Sequence, residues 1–446
     1  MLSLVACKGA TGPSDGGAIT LSPETWAALL VLSPPSLPPP PADITNRFAD
    51  DPEAALFGQR LFFDPSFSGP LLDSDNDGTP STLGNVGDTG RVSCAGCHLP
   101  AYAFSDKRSF QLQISLGAGW GRRRTPSLLD VGQARMIMWD GRRDTLFNQV
   151  FGPLESVVEM NSSRLYMAEQ LFARHRTQYE ALFGPMPPLD DTARFPSLSA
   201  TVTGCQPSHP SDPAPTCDGP FHGSPGDGAE YDGMTAADQA AVTRVVVNAG
   251  KAIGAYERLL TCGPSPFDSW MHGGPDLPEP ARRGAGLFVG AAGCSRCHSG
   301  PYLTDQTFHN VGLVPHVVQS GFIDSNDEGG ASGMAAAIQD PLSSHGVFSD
   351  GDDGRLPPSP PADSVGAFRT PSLRCVALRP TYMHTGQLRT LSDVVTHFNN
   401  GGSIYGFPGT NELEALSLTA QDQADLVAFM KSLTGPGPQP QLLSAP

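Results

Sequence analysis

The sequence predicts a mainly α-helical protein made of two tandem copies of one module, joined by long irregular loops. Three observations carry this expectation. Two C-x-x-C-H units, "CAGCH" (94–98) and "CSRCH" (294–298), stand two hundred residues apart. Longer blocks around them repeat at one constant offset. Clear helix starts lead into apolar stripes of helical period, while few segments alternate with the period of a strand.

The first forty-five residues are read as a lipoprotein-like tether with a short helix. Cys7 ends "SLVAC", the L-x-x-C form of a lipoprotein processing site, and "KGATGPSDGG" follows as a flexible tether. The apolar run before Cys7 is too short for a whole signal peptide. In "LSPETWAALLVLSPP", Ser22 is the N-cap, Pro23 takes the first helical position, and Pro34 and Pro35 end the helix. A Pro-rich linker follows, and the globular part begins near Asn46. "TAADQAAVTRVVVNAGKAIGAYERLL" opens a long helix at Thr235 with Asp238 three residues on, a capping-box signature. Its stripe is Val242, Val245, Val246, Ala249, Ile253, Tyr256 and Leu260. "TAQDQADLVAFMKSL" repeats the plan at Thr419 and Asp422. The expected domains are 46–268 and 269–435, with a tail at 436–446.

"RTPSLLDV" starts at Arg124 and "RTPSLRCV" at Arg369; "MWDGRRDTLFNQV" starts at Met138 and "MHTGQLRTLSDVV" at Met383. The offset is 245 for both pairs, without a gap. Each half has "LF" upstream of its C-x-x-C-H and an aromatic-rich segment ending in Asp after it ("AYAFSD", "PYLTD"). The first cysteine precedes R-T-P-S-L by 30 residues in one half and 75 in the other, and the excess has loop composition.

The formal charge of −17, with 45 acidic against 28 basic residues, makes nucleic acid a poor partner and a basic protein or small cation an easier one. With 50 glycines and 44 prolines, long irregular connections are expected. No run of eighteen apolar residues is present to span a membrane. Of nine cysteines, Cys205 and Cys217 bracket a Pro-rich loop and are natural partners in an oxidising compartment, Cys262 with Cys375 is the weaker pairing, and four unpaired buried thiols are the open alternative.

Three chemistries use C-x-x-C. A structural zinc site wants four ligands, and each module offers one pair, with the following histidine left idle. A thiol-disulfide motif wants a strand-to-helix context that is absent. Covalent c-type haem uses all three residues: two thiols add to the vinyl groups and the adjacent imidazole becomes the proximal iron ligand. Cys94, Cys97 and His98, and Cys294, Cys297 and His298, are therefore read as two c-type haem sites, His98 and His298 binding iron. The modules become tandem cytochrome c-like haem domains, assembled outside the cytoplasm.

The segments "LFGQRLFFDPSFSG", "VSCAGCHLPAYAFSD", "GRRRTPSLLDV", "WDGRRDTLFNQVFGPLESVVEM", "CSRCHSGPYLTDQTFHNVGL" and "FRTPSLRCVALRPTYMHTG" together resemble bacterial di-haem cytochrome c peroxidases and their methylamine-utilisation (MauG-type) relatives. The likeness runs from 56 to 435, nearly all of the globular part. It implies that hydrogen peroxide reacts at the first haem and that the second passes electrons to it. It implies that Trp139 lies between the haems, and that Gln149 and Glu159 match the family's distal-pocket glutamine and glutamate. A carboxyl whose pKa is brought towards neutrality can move a proton between the peroxide oxygens, so Glu159 is the acid–base candidate and Gln149 its orienter.

Three departures follow from the same comparison. No histidine stands between His98 and His175, so the first iron is expected to be open without reductive activation. Phe398 stands where the family has the second iron's distal Met or Tyr, leaving His397, Met383 or His384 as candidates. Arg124 replaces an asparagine that helps hold an interdomain calcium, and its guanidinium would supply that charge. "DSDNDG" (73–78) begins like an EF-hand loop but has Gly84 at the twelfth position, so calcium is doubtful there as well. The leading expectation is an exported, periplasmic or cell-envelope di-haem peroxidase served by a small cytochrome or copper-protein donor, with Cys7 as its lipid anchor. The alternatives are a MauG-type enzyme whose high-valent haem oxidises residues on a partner protein, and a non-catalytic electron-transfer cytochrome.

Overall fold

The computed structural model describes residues 21–108, 114–201, 203, 229–313, 327–403 and 405–446. Cys7, Cys205 and Cys217 lie outside these residues, and with them the anchor and the first disulfide expectation. The described chain is mainly helical; its named strands form two two-stranded pieces.

Helix α1 (Pro23–Leu32) begins as its sequence dictates, with Ser22 Oγ accepting the Thr25 N–H at 3.2 Å and Pro23 at a position whose N–H needs no partner. Leu29 and Leu32 are buried against second-half residues, and the Trp26 ring meets Trp270 edge-on at 5.2 Å. The helix expected beside the tether is thus part of the second core.

The first core gathers on α2 (Pro52–Phe63), with the short α3 (Cys94–Cys97), the hairpin β1 (Ile114–Leu116) and β2 (Trp120–Gly121), and α4 (Phe151–Glu155) around it. It is completed by α5 (Arg164–Phe183), the short α6 (Ala229–Asp232) and α7 (Ala236–Glu257). All seven stripe residues read on and after α7 are buried. Thr235 caps α7 as expected, but the reciprocal half of the box is missing: Asp238 turns its carboxylate to Arg194 and the Thr235 hydroxyl. A Cβ on Gly58 would lie 1.9 Å from the Ala252 carbonyl oxygen, so α2 and α7 cross with backbones touching.

The second core is built on α8 (Pro266–Met271), α9 (Glu279–Val289), α11 (Leu391–Asn399) and α12 (Ala420–Ser432). Helix α10 (Gly330–Gln339) lies beside the pair β3 (Phe308–His309) and β4 (Phe368–Arg369), where Phe308 is opposite Arg369 in antiparallel register. The full capping box expected at Thr419 and Asp422 is present on α12. Here Gly284 repeats the close crossing, its Cβ position 2.0 Å from the Asp425 carbonyl oxygen.

The two halves meet through reciprocal contacts. The Arg124 N–H donates to the His384 carbonyl at 2.7 Å, and the Arg369 N–H to the Trp139 carbonyl at 2.8 Å. Arg124 Nε then reaches the Met383 carbonyl at 3.1 Å, and Arg369 Nε the Met138 carbonyl at 3.3 Å. Met138 and Met383, which carry those carbonyls, share the same left-handed φ of 68° and 67°. These pairs stand at the offset of 245, so the duplication folds into a near two-fold arrangement in which each arginine grips the opposite module. A disulfide between Cys262 and Cys375, both buried, adds a covalent tie across the junction. Closing a loop of this length stabilises a fold by about 2–5 kcal/mol.

Candidate active site

Each C-x-x-C-H unit is a single tight turn. Ser93 Oγ accepts the Gly96 N–H at 3.1 Å to start α3, and the His98 N–H closes onto the Cys94 carbonyl at 2.7 Å. In the second unit His298 N–H reaches the Cys294 carbonyl at 2.9 Å. The rings are then fixed in the same way. His98 Nδ1 lies 3.0 Å from the Phe104 carbonyl, and His298 Nδ1 2.8 Å from the Leu303 carbonyl. Phe104 and Leu303 both have left-handed φ, 53° and 49°, which places those carbonyls in the turn after the motif.

A carbonyl can only accept, so Nδ1 carries the proton in both rings and Nε2 keeps its lone pair. Burial holds both imidazoles neutral, their pKa brought down to about 4. A neutral imidazole fixed through Nδ1 is the form that ligates a metal through Nε2. All four motif cysteines are free of disulfides, and the pairs sit against different cores, so they do not converge on one shared zinc. Among the described residues the one group of metal-ligating side chains is Cys297, Asp305 and His309. The carboxylates of "DSDNDG" do not gather: Asp75 accepts from the Trp120 indole at 2.8 Å, and Asp77 from the Thr79 N–H at 3.0 Å.

Around the first unit, Glu159 is partly buried on the segment after α4. Burial raises its carboxyl above the ordinary range, against the opposing pull of Arg142 and the Ser156 hydroxyl. Its charge acts on Cys97, which places it on that side of the motif. Gln149 Nε2 donates to Glu257 Oε1 at 3.2 Å. Glu257, at the end of α7, is 3 % exposed, and burial pushes its carboxyl up to about 8. Its field reaches Cys94. Sequence reasoning missed this residue; its one signal was a glutamate directly after Tyr256, on the buried stripe of α7.

Trp139 is buried at the junction with Leu313, Phe368 and Phe407, and Met383 packs beside them. Its Nε1 donates to the Arg124 carbonyl at 2.7 Å, and the Arg124 guanidinium lies 5.2 Å from its ring centre. His384 stacks on Phe368 with ring centroids 3.5 Å apart, and its Nε2 is buried without a hydrogen-bond partner. His397 is placed differently: its Nε2 donates to the Val311 carbonyl at 2.8 Å, so iron ligation through that atom would require this bond to break. Phe398 lies edge-on to it. Met383 contributes its carbonyl to Arg124.

The junction also tests whether the residues fit two haems, each of which brings carboxylates. A cleft lined by Trp139 and Tyr302 contains three guanidiniums, the buried Arg124 and Arg379 and the half-buried Arg369. Burial lowers their pKa to about 9, 10 and 10, with Arg379 lowering both of the others further. Among the described residues none is in an ion pair with a carboxylate within 4 Å, and Arg379 Nε has no hydrogen-bond partner. Three guanidiniums gathered at the junction, with Asp130 as the one carboxylate lining the cleft, fit the carboxylates of two haems.

Residues 52–202 match the family model described as di-haem cytochrome c peroxidase. The methylamine utilization protein MauG of Methylorubrum extorquens is 28 % identical over 446 aligned positions, covering 97 % of this chain and 93 % of that protein. Cytochrome-c peroxidase IdrP1 of Denitromonas iodatirespirans is 28 % identical, covering 89 % and 85 %. In fold, the chain is similar to a crystal structure of a MauG-like protein associated with microbial copper homeostasis, with TM-score 0.57, 24 % identity, and 93 % and 98 % of the two chains covered. The protein is a haem peroxidase oxidoreductase that carries two c-type haems. In sequence and in fold the chain resembles the di-haem cytochrome c peroxidase/MauG family.

Proposed function

We propose that the protein reduces hydrogen peroxide at the haem held by Cys94, Cys97 and His98, with electrons relayed through the haem held by Cys294, Cys297 and His298. The tandem haem domains are 46–268 and 269–435, with α1 docked on the second. The observation that carries this reading is the raised, partly buried carboxyl of Glu159 beside the first motif, in a chain with no histidine between His98 and His175 to cover that iron.

Bound at this site, the haem iron supplies the electron-transfer chemistry that cleaves the peroxide O–O bond. Glu159 takes the proton from the inner peroxide oxygen and returns it to the outer one, so that the departing group leaves as water. Gln149 donates an N–H to hold that geometry. Trp139, closed in by Arg124 and Phe368, excludes water from the junction and provides the aromatic bridge between the modules. The donor is a small cytochrome or copper protein, and the acid surface of the chain favours a basic one.

Covalent haem attachment and the buried Cys262–Cys375 bridge both favour an oxidising compartment, and hence export to the periplasm or envelope, with Cys7 as a lipid anchor. Among the described residues no helix is long and apolar enough to cross a membrane. A second reading, oxidation of residues on a partner protein, is favoured by similarity to MauG over 97 % of the chain. Phe398, which has no iron ligand atom, argues against a close parallel.

The test is peroxide turnover by Glu159→Gln. Loss of a general acid–base group lowers the rate by about 10²–10⁴-fold. Unchanged turnover with full haem content would remove Glu159 from the mechanism.

A further inference from the structure

We propose that Glu257 is a second acid of the first haem pocket, a proton-supplying residue held in place by Gln149. The inference rests on the peroxidase reading above and adds a source for its protons. Reducing one peroxide to two waters takes up two electrons and two protons. Glu159 moves a proton that the peroxide already carries and supplies none. The electrons come from the donor protein, and the protons must come from solvent through a group in the pocket.

Glu257 is built for this. It is 3 % exposed, and its two oxygens are in different situations. Oε1 accepts the Gln149 amide N–H at 3.2 Å, while Oε2 is buried with no hydrogen-bond partner among the described residues. An ionised carboxylate in this position would leave a charged oxygen unsolvated, which burial strongly disfavours. A neutral carboxyl resolves the arrangement: the oxygen facing Gln149 is the carbonyl, and Oε2 carries the proton and is free to donate it. The same amide that orients peroxide therefore fixes which oxygen of Glu257 bears the proton.

Few charged or titratable groups face Glu257. Cys94 on α3 feels its field, and that thiol becomes a non-titrating thioether when haem is attached. Tyr256, beside it on α7, is held neutral by burial. Gln149, before α4, is uncharged. Burial alone keeps the carboxyl protonated through neutral pH. In turnover the Oε2–H bond breaks as the proton goes to the peroxide oxygen that remains after the first water has left, and the carboxylate, reprotonated from solvent, supplies the second proton that completes the second water.

The test uses the haem-loaded full chain. Optical and EPR spectra of the resting protein, titrated from neutral into alkaline pH, are expected to show a change in the first haem with an apparent pKa of about 8. Glu257→Gln should abolish that step and slow steady-state peroxide turnover by about 10²-fold. Glu257→Asp should keep a step and recover part of the rate. A wild-type protein without the step overturns the inference, as does Glu257→Gln with full haem content, the wild-type step and the wild-type rate. If Glu257→Gln does not load haem, the wild-type titration decides alone. Failure of the wild type to turn over peroxide at all would instead sink the peroxidase reading, so the two failures are distinct.

Discussion

Trp139 and His384 hold the same register in the two modules and meet across the junction, with ring centroids 6.5 Å apart. Their surroundings differ where their chemistry does. The Trp139 indole N–H is satisfied by the Arg124 carbonyl, whereas His384 Nε2 has no partner. Burial, first, and then Arg123 hold that imidazole well below its usual pKa, so it is neutral. The duplication thus placed an aromatic ring from each half at one point, in different polar surroundings.

If Trp139 bridges the modules, Trp139→Leu should leave peroxide access to the first haem intact and slow electron delivery from the second. A rise of about 1.4 kcal/mol in that barrier gives a tenfold loss. Stopped-flow spectra that follow each haem after peroxide is added to the reduced protein will separate the two steps. Equal transfer rates in the variant would remove the relay role.

The two helix crossings should be intolerant of a single methyl group. Gly58→Ala and Gly284→Ala each set a Cβ against backbone that cannot rotate away, and each should cost about 1–3 kcal/mol. Gly437→Ala, where nothing lies within 4 Å, is the control and should leave the denaturant midpoint unchanged.

Arg374 is fully buried and forms a fork on Asp268, with Nη1 and Nη2 at 2.8 and 3.0 Å. Asp268 also caps α8 through the Ser265 box. Arg374→Ala leaves that carboxylate buried and unpaired, a loss of about 3–5 kcal/mol. Although burial alone would raise the Asp268 pKa, Arg374 and Ser265 hold it below the ordinary value. This contribution is therefore present above the unfolded pKa and is lost as pH falls through the lowered folded value. Urea unfolding of wild type and variant, compared at neutral and acid pH, should show the gap narrowing in acid.

The parts of this protein that were legible in sequence are those written in local side-chain chemistry. Ser22 and Pro23 announced α1, the spacing from Val242 to Leu260 announced the buried face of α7, and the constant offset announced the second module. Local rules set that α1 forms, but they carry no information on where Trp26 and Leu29 dock, which proved to be the second core. The junction was hidden for a related reason. Its central contacts join arginine N–H groups to carbonyls of Trp139 and His384, and backbone atoms have no sequence signature. Asp238 kept its place in the capping pattern but was drawn to Arg194, a partner 44 residues away. At the site, Cys94, Cys97, His98 and their repeat were visible because attachment requires those residue types at that spacing. Glu257 was not, because a glutamate at the end of a helix reads as a solvated charge until packing buries it.

The most direct test of a peroxidase with an open first haem is the optical and EPR spectrum of the resting protein, recorded before and immediately after peroxide is added. One high-spin haem in the resting state, lost rapidly on mixing without prior reduction, is the predicted result. Two low-spin, six-coordinate haems that do not respond to peroxide would contradict it and leave an electron-transfer cytochrome in its place.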